Sequence, residues 1–166
     1  MSVTPVTPVT PVPTSDLYDE HGEALAICTT PFRQFGRRRL IAGPVRTLSC
    51  HEDNALLREL VNTPGGGAVL VVDGGGSLRT ALTGDLIAGA AQRNGWAGLI
   101  ISGAVRDSVA LAGLDLGIKA LGTVPRKSGK TGAGTVDEPV TIGGVTFRPG
   151  DTVHADDDGT VVLPAA

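Results

Sequence analysis

From residue 68 to residue 123, three short apolar runs alternate with helix-length segments, and few folds accept that rhythm. "AVLVVDGGG" is one run, closed by glycines. "GDLIAGAAQRNG" has the spacing of an amphipathic helix and stops at Asn94-Gly95, a pair suited to a left-handed cap. "WAGLIISGAV" is a second apolar run, "RDSVALAGLDLG" a second short helix and "IKALGT" a third strand. A strand without polar alternation has both faces covered, which is the situation of a parallel strand in a βαβ unit. The segment therefore predicts an α/β fold around a parallel sheet.

The flanks differ in character. The chain opens on Val-Thr-Pro repeats, where proline removes donors and biases its neighbours towards extended backbone. Residues 1–13 are expected as a disordered arm, and 14–166 as a single domain large enough for a real core. "SDLYDEHGEALA" predicts a short helix with Ser15 or Asp16 as cap, and "RRLIAGPVRTLSC" a strand bent or bulged where Pro44 lacks a ladder donor. "HEDNALLRELVN" places apolar residues at 56, 57, 60 and 61, the face of a helix. "VTIGGVTFRPGDTVHADDDGTVVLP" reads as antiparallel hairpins, so a β-rich layer should join the α/β layer.

Composition narrows the function classes. Fourteen Lys+Arg stand against seventeen Asp+Glu, a net charge of −3, which argues against a nucleic-acid surface. One Trp, one Tyr and three Phe leave little for base stacking. Cys28 and Cys50 form neither a disulfide scaffold nor a metal spacing and read as buried thiols. No apolar stretch reaches the roughly 18 residues of a membrane span, and no signal-peptide plan opens the chain, so the cytoplasm is the expected compartment.

Several motifs are decoys. Gly129-Lys130-Thr131 matches the end of a phosphate-binding loop, but position 124, where its first glycine belongs, is Val. This segment is expected as a flexible basic loop facing a partner subunit. Gly74 and Gly76 lack the third glycine of a dinucleotide site, since position 79 is Arg. "DDDG" lacks the ligand spacing of a calcium loop and reads as a hairpin turn. His21, His51 and His154 form no motif, and no nucleophile elbow surrounds Ser77 or Ser102.

Charged residues at the ends of the apolar runs carry more. Asp85 heads the first helix, Arg106-Asp107 follows the second strand, and twenty residues lie between them, a helix plus a strand. Parallel neighbours would bring these ends to one rim of the sheet, the side where ligands bind in open α/β folds. Free amides over Gly84, Asp85, Leu86 and Ile87 can take an anion, and Gly84 lets it approach. Arg106 offers a fork for a carboxylate, and Asp107 is a hard oxygen donor for Mg²⁺ or Mn²⁺. Read structurally, the same residues are a helix cap and surface ion pairs; spacing does not choose between the two.

"GDLIAGAAQRNGWAGLIISGAVRD", "DLGIKALGTVPRKS" and "GVTFRPGDTVHADDDG" together resemble the family of the regulator of ribonuclease activity A and the class II 4-hydroxy-4-methyl-2-oxoglutarate aldolases. The likeness runs from about residue 14 onward. It implies a swivelling β/β/α fold assembled as a trimer or hexamer, with sites near subunit boundaries. It also implies that the backbone of Gly84–Ile87 and the side chain of Arg106 hold a 2-oxo acid. Asp107 then reaches a divalent metal, and Asp85 orients a water in proton transfer. Candidates for a further acid associated with the aldolases are Asp115, Glu20 and Glu23, the last two from a neighbouring subunit. Lys119, Lys127 and Lys130 remain without a role.

Two function classes follow. One is a metal-dependent lyase that cleaves 4-hydroxy-4-methyl-2-oxoglutarate to pyruvate and decarboxylates oxaloacetate. The other is a protein regulator that binds and inhibits an RNase E-type endoribonuclease, with Arg37-Arg38-Arg39 as a contact surface. A methyltransferase of menaquinone synthesis, a label relatives have carried, has no cofactor loop in the sequence to support it.

Overall fold

The computed structural model describes residues 8–165. The chain begins with α1 (Thr14–His21) and a 3₁₀ turn, then β1 (Ala26–Cys28), β2 (Arg33–Gln34), the long β3 (Ile41–Ser49) and α2 (Ala55–Val61). The alternating segment follows as β4 (Val69–Asp73), β5 (Ala81–Thr83), α3 (Asp85–Arg93), β6 (Gly98–Val105), α4 (Ser108–Leu111) and β7 (Gly117–Thr123). The chain closes with β8 (Thr135–Val136), β9 (Val140–Ile142), β10 (Val145–Phe147), β11 (Thr152–Ala155) and β12 (Thr160–Leu163).

β3, β4, β6 and β7 are parallel neighbours, as the apolar runs required. Their pleat explains the absence of polar alternation. Leu70, Val72, Leu99 and Ile101 face a core shared with Leu57, Val61, Ala88 and Leu111 from the helices. Val69, Val71 and Ile100 face the opposite core with Ile142, Val145 and Phe147 from the β9–β10 hairpin. Helices, main sheet and hairpins thus stack as the β/β/α layering that the resemblance implied. Gly95 takes φ +81° at the end of α3, the left-handed stop foreseen at Asn94-Gly95.

β3 joins the two kinds of sheet. Ile41–Pro44 pairs antiparallel with β11, and Val45–Ser49 pairs parallel with β4. Pro44 does not break the strand; it stands at the change of partner, where Val45 N donates to Asp151 O at 2.7 Å.

The N-terminal reading needs two corrections. Residues 1–7 of the expected arm lie outside the described residues, but the remainder lies against the fold. Val12 N donates to His154 Nδ1 at 3.2 Å, and Val12 packs with Leu17, Leu25 and Val161. Neither Ser15 nor Asp16 caps α1. Asp156, from the far end of the chain, accepts from Thr14 N (2.8 Å) and Thr14 Oγ1 (2.7 Å). The same carboxylate accepts from Asp158 N and Gly159 N, so "DDDG" is a hairpin turn that also caps the start of α1. Among the described residues no helix is long and apolar enough to cross a membrane.

Candidate functional site

The sheet delivers Gly84-Asp85 and Arg106-Asp107 to one place. A three-residue strand that sequence reasoning missed does the positioning. β5 lies parallel to the end of β6, pairing Ala81 with Ala104 and Thr83 with Val105, and Arg106 N donates to Thr83 O at 2.9 Å. α3 therefore starts beside the residues that leave β6. Asp85 N donates to Asp107 Oδ2 at 3.0 Å across twenty-two positions of sequence.

Asp107 adopts φ +59°, a left-handed backbone that aspartate tolerates better than most residues. Its carboxyl is held below the ordinary aspartate value. The Asp85 amide is the main cause, with the Asp85 side chain and the Arg106 charge adding to it and desolvation opposing. Arg106 lies with Nε 3.9 Å from Asp107 Oδ2, and its Nη1 donates to Pro125 O at 3.3 Å. Gly84 is required for this fit, because a Cβ there would stand 2.6 Å from Asp107 Oδ2 and 3.2 Å from Arg106 Cγ.

These residues line a cavity of about 380 Å³ together with Thr83, Leu86 and Ile87. The amides of Leu86 and Ile87 lie in the first turn of α3, where a helix has no internal acceptor for them. Asp85 N, by contrast, is already taken by Asp107. Thr83 is 1% exposed, and its Oγ1 has no hydrogen-bond partner among the described residues. Thr83 stands in the cavity wall beside Gly84, with its hydroxyl uncommitted to any described residue.

The cavity's oxygen donors define which metal it could hold. Among the described residues no three His, Cys, Asp or Glu side chains converge. What the cavity offers is Asp107, whose Oδ1 makes no protein hydrogen bond among the described residues, with Asp85 beside it. One or two carboxylates with waters completing the shell suit Mg²⁺ or Mn²⁺, and do not suit a closed structural zinc site. The residues present fit a hard divalent cation.

Two lysines without a role in the sequence also face the cavity. The segment expected as a flexible loop is clamped in place: Asp53 accepts from Thr131 N (2.5 Å), Thr131 Oγ1 (2.8 Å) and Gly132 N (3.1 Å). Lys130 Nζ donates to Asn54 Oδ1 at 2.7 Å, and Lys127 and Lys130 both line the wall. Lys119 does not join them; it is buried and donates to Asp156 O at 2.6 Å. Asp115 lies elsewhere too, paired with Arg38 (3.1 Å) and Arg37 (3.7 Å), while Arg39 pairs with Asp157. The arginine run is thus occupied by intramolecular ion pairs. Glu23 accepts from Tyr18 and Glu20 lies by His21; neither lines the cavity.

The chain is similar to proteins of one family. A family model described as RraA-like, Aldolase/RraA, matches residues 14–162. The chain is similar to a solved structure named as an S-adenosylmethionine:2-dimethylmenaquinone methyltransferase from Geobacillus kaustophilus. Identity is 44% over 93% of this chain and 96% of that one, with TM-score 0.90. It is similar to the RNA-processing inhibitor RraA of Thermus thermophilus at 46% identity, over 94% of each chain, with TM-score 0.89. A Streptomyces coelicolor protein, described as an unusual member of the RNase ES inhibitor RraA family, shares 30% identity. That match covers 94% of this chain and 81% of that one, with TM-score 0.72.

Proposed function

The chain belongs to the RraA-like family, and from that premise we propose that it is a divalent-metal-dependent lyase acting on small 2-oxo acids. The substrate class is that of 4-hydroxy-4-methyl-2-oxoglutarate, cleaved to pyruvate, with oxaloacetate decarboxylation as a side reaction. One observation carries the reading: Arg106, the Asp85–Asp107 contact and the first-turn amides of α3 share one cavity.

The amides of Leu86 and Ile87 and the fork of Arg106 hold the substrate carboxylate. Asp107 and its waters would hold Mg²⁺ or Mn²⁺, which when bound supplies Lewis-acid stabilisation of the enolate that cleavage leaves. A water oriented by Asp85 takes the C4 hydroxyl proton. The C3–C4 bond breaks, its electron pair stays on C3 of the departing pyruvate, and a proton returns to C3. Decarboxylation of oxaloacetate reaches the same enolate without the first deprotonation. Two apolar side chains near the cavity, Leu86 (82% exposed) and Val109 (90% exposed), are surface that further copies would cover in a homotrimer or hexamer.

A coupled pyruvate-release assay over a panel of 2-oxo acids, with and without divalent metal, tests the reading. We expect release from both named substrates, abolished by chelator and by Asp107→Asn or Asp107→Ala. Absence of turnover with metal in excess refutes it.

A second reading is favoured by the comparisons: a non-catalytic regulator that binds an RNase E-type endoribonuclease. Of the three solved structures named above, two carry inhibitor names and none is named an aldolase, so those names weigh for this reading over the first. Arg37–Arg39 remain exposed, and their ion pairs to Asp115 and Asp157 are weak enough for a partner to displace. Pull-down with an RNase E-type endoribonuclease decides it. Retention by the Asp107→Asn protein would show a regulator independent of the cavity, and no capture by the unmodified chain removes the reading. Methyl transfer rests on the name of one relative alone.

A further inference from the structure

The cavity holds more positive charge than one carboxylate needs. Besides Arg106, its wall contains Arg58, Arg93, Lys127 and Lys130, against the carboxylates of Asp85 and Asp107. Away from the cavity Arg37, Arg38, Arg39 and Arg46 all lie within 4 Å of a carboxylate, whereas among the described residues the exposed Arg33, Arg126 and Arg148, scattered singly, do not. Among the described residues Arg58, Arg93, Lys127 and Lys130 do not either. Four cations around one concavity repel one another, and that arrangement favours an anion between them.

Lys130 is held in place for such a role. Its Nζ is bound to Asn54 Oδ1, a neutral acceptor that fixes the head group without cancelling its charge and leaves two N–H donors. Asn54 is buried and itself donates to Leu82 O at 3.0 Å, and the loop bearing Lys127 and Lys130 is tied down through Thr131 to Asp53. Ser128 Oγ, between the two lysines, donates to Ala81 O at 2.8 Å, fastening the loop to the strand that leads into Gly84. This support contrasts with the freedom of an ordinary surface lysine.

We propose that Lys127 and Lys130, with Arg58 and Arg93, form a second anion subsite that binds the distal carboxylate of a dianionic 2-oxo acid. The inference rests on the lyase reading of the cavity and deepens it. Arg106 and the α3 amides take the carboxylate next to the ketone, and the 125–133 loop selects substrates with a second one. Lys127 and Lys130 are then specificity residues.

Two unreactive probes of equal chain length separate the subsites. 2-Oxoglutarate has a distal carboxylate and lacks the C4 hydroxyl needed for cleavage; 2-oxopentanoate has a methyl group in its place. Their affinities are measured by titration calorimetry on the full chain with Mg²⁺ present. The unmodified protein binds 2-oxoglutarate at least about tenfold more tightly, the size of one charge-assisted hydrogen bond. Lys127→Gln and Lys130→Gln each shrink that ratio, the double variant shrinks it further, adding Arg58→Gln and Arg93→Gln brings it close to one, and 2-oxopentanoate binding stays within about twofold. Lys127 makes no side-chain hydrogen bond to a described residue, so its variant remains informative even if Lys130→Gln loosens the loop. Equal affinity for the two probes in the unmodified protein, or a ratio unchanged by the double substitution or surviving the fourfold one, overturns the subsite alone. Failure of both probes to bind overturns the lyase reading and the subsite with it.

Discussion

Replacing Gly84 with alanine should separate the site from the fold. The new Cβ would stand 2.6 Å from Asp107 Oδ2, which is about 0.8 Å inside ordinary van der Waals contact. Gly84 has φ −133°, so alanine meets no backbone strain there. The obstructing atom is the tip of a half-exposed side chain, and it can swing away. Doing so gives up the hydrogen bond from Asp85 N. Water replaces part of that bond, so the stability cost is about 1 kcal/mol or less, a fall in Tm of about 2–4 °C. Catalysis is far less tolerant, since a displacement of about 1 Å costs on the order of a hundredfold. We expect kcat/KM for pyruvate release to fall by about that factor. A second readout is independent of turnover: the Asp85 amide is the main cause of the low Asp107 pKa, so an NMR titration should show that carboxyl rising towards the ordinary value. Gly159→Ala, where a Cβ meets nothing within 4 Å, is the matched control. Activity within threefold of the unmodified protein, or a collapse of the melt by more than about 10 °C, would refute the steric argument.

Three other expectations concern the supports of the fold. Burial pushes the Asp53 carboxyl up, but hydrogen bonds from Thr131, Ala55 and Gly132 outweigh it and hold the group below its ordinary value. Its contribution is therefore complete above about pH 4 and lost as pH falls through the folded value. Asp53→Asn should cost about 2–3 kcal/mol in urea unfolding at pH 7, with the difference shrinking towards pH 3; a pH-independent difference contradicts the linkage. His154 is lowered by burial, so the unfolded chain takes up its proton first, and stability should decline as pH falls from 6.5 towards the folded value. His154→Gln should remove that slope while keeping an acceptor for Val12 N, and an unchanged slope would reassign it to other groups. Cys50 is buried, and desolvation with the charges of Asp53 and Asp73 pushes its thiol to about 12. Iodoacetamide at pH 8 should leave it unlabelled in the native protein and label it in denaturant, as mass spectrometry can read.

The parts of the fold that were legible are those governed by neighbours in sequence. β4 and β6 show themselves because strands covered on both faces have no polar positions, and the end of α3 because Asn94-Gly95 permits the left-handed turn. β5 was not legible, since three residues are too few for a period to show, yet it pins Gly84 beside Arg106. The cap of α1 and the clamp on the 125–133 loop depend on Asp156 and Asp53, 142 and 78 positions away from their partners, and no local pattern contains them. The same holds within the cavity. Asp85, Arg106 and Asp107 stand at ends of apolar runs and attract notice, whereas Thr83, Lys127 and Lys130 acquire meaning only from what the sheet folds against them.

The partner change of β3 at Pro44 bears on how the chain can be made. Ile41–Pro44 waits for β11, and β1 waits for β12, both within the last fifteen residues of the chain. During vectorial synthesis these edges stay open while the parallel sheet beside them is already complete. Pairings so distant in sequence close slowly, and open edges are where nascent chains stick to one another. The C-terminal hairpin is thus the clasp of the molecule. A chain stalled or truncated before residue 152 would keep most of the cavity and still lack the strands that make it safe to release.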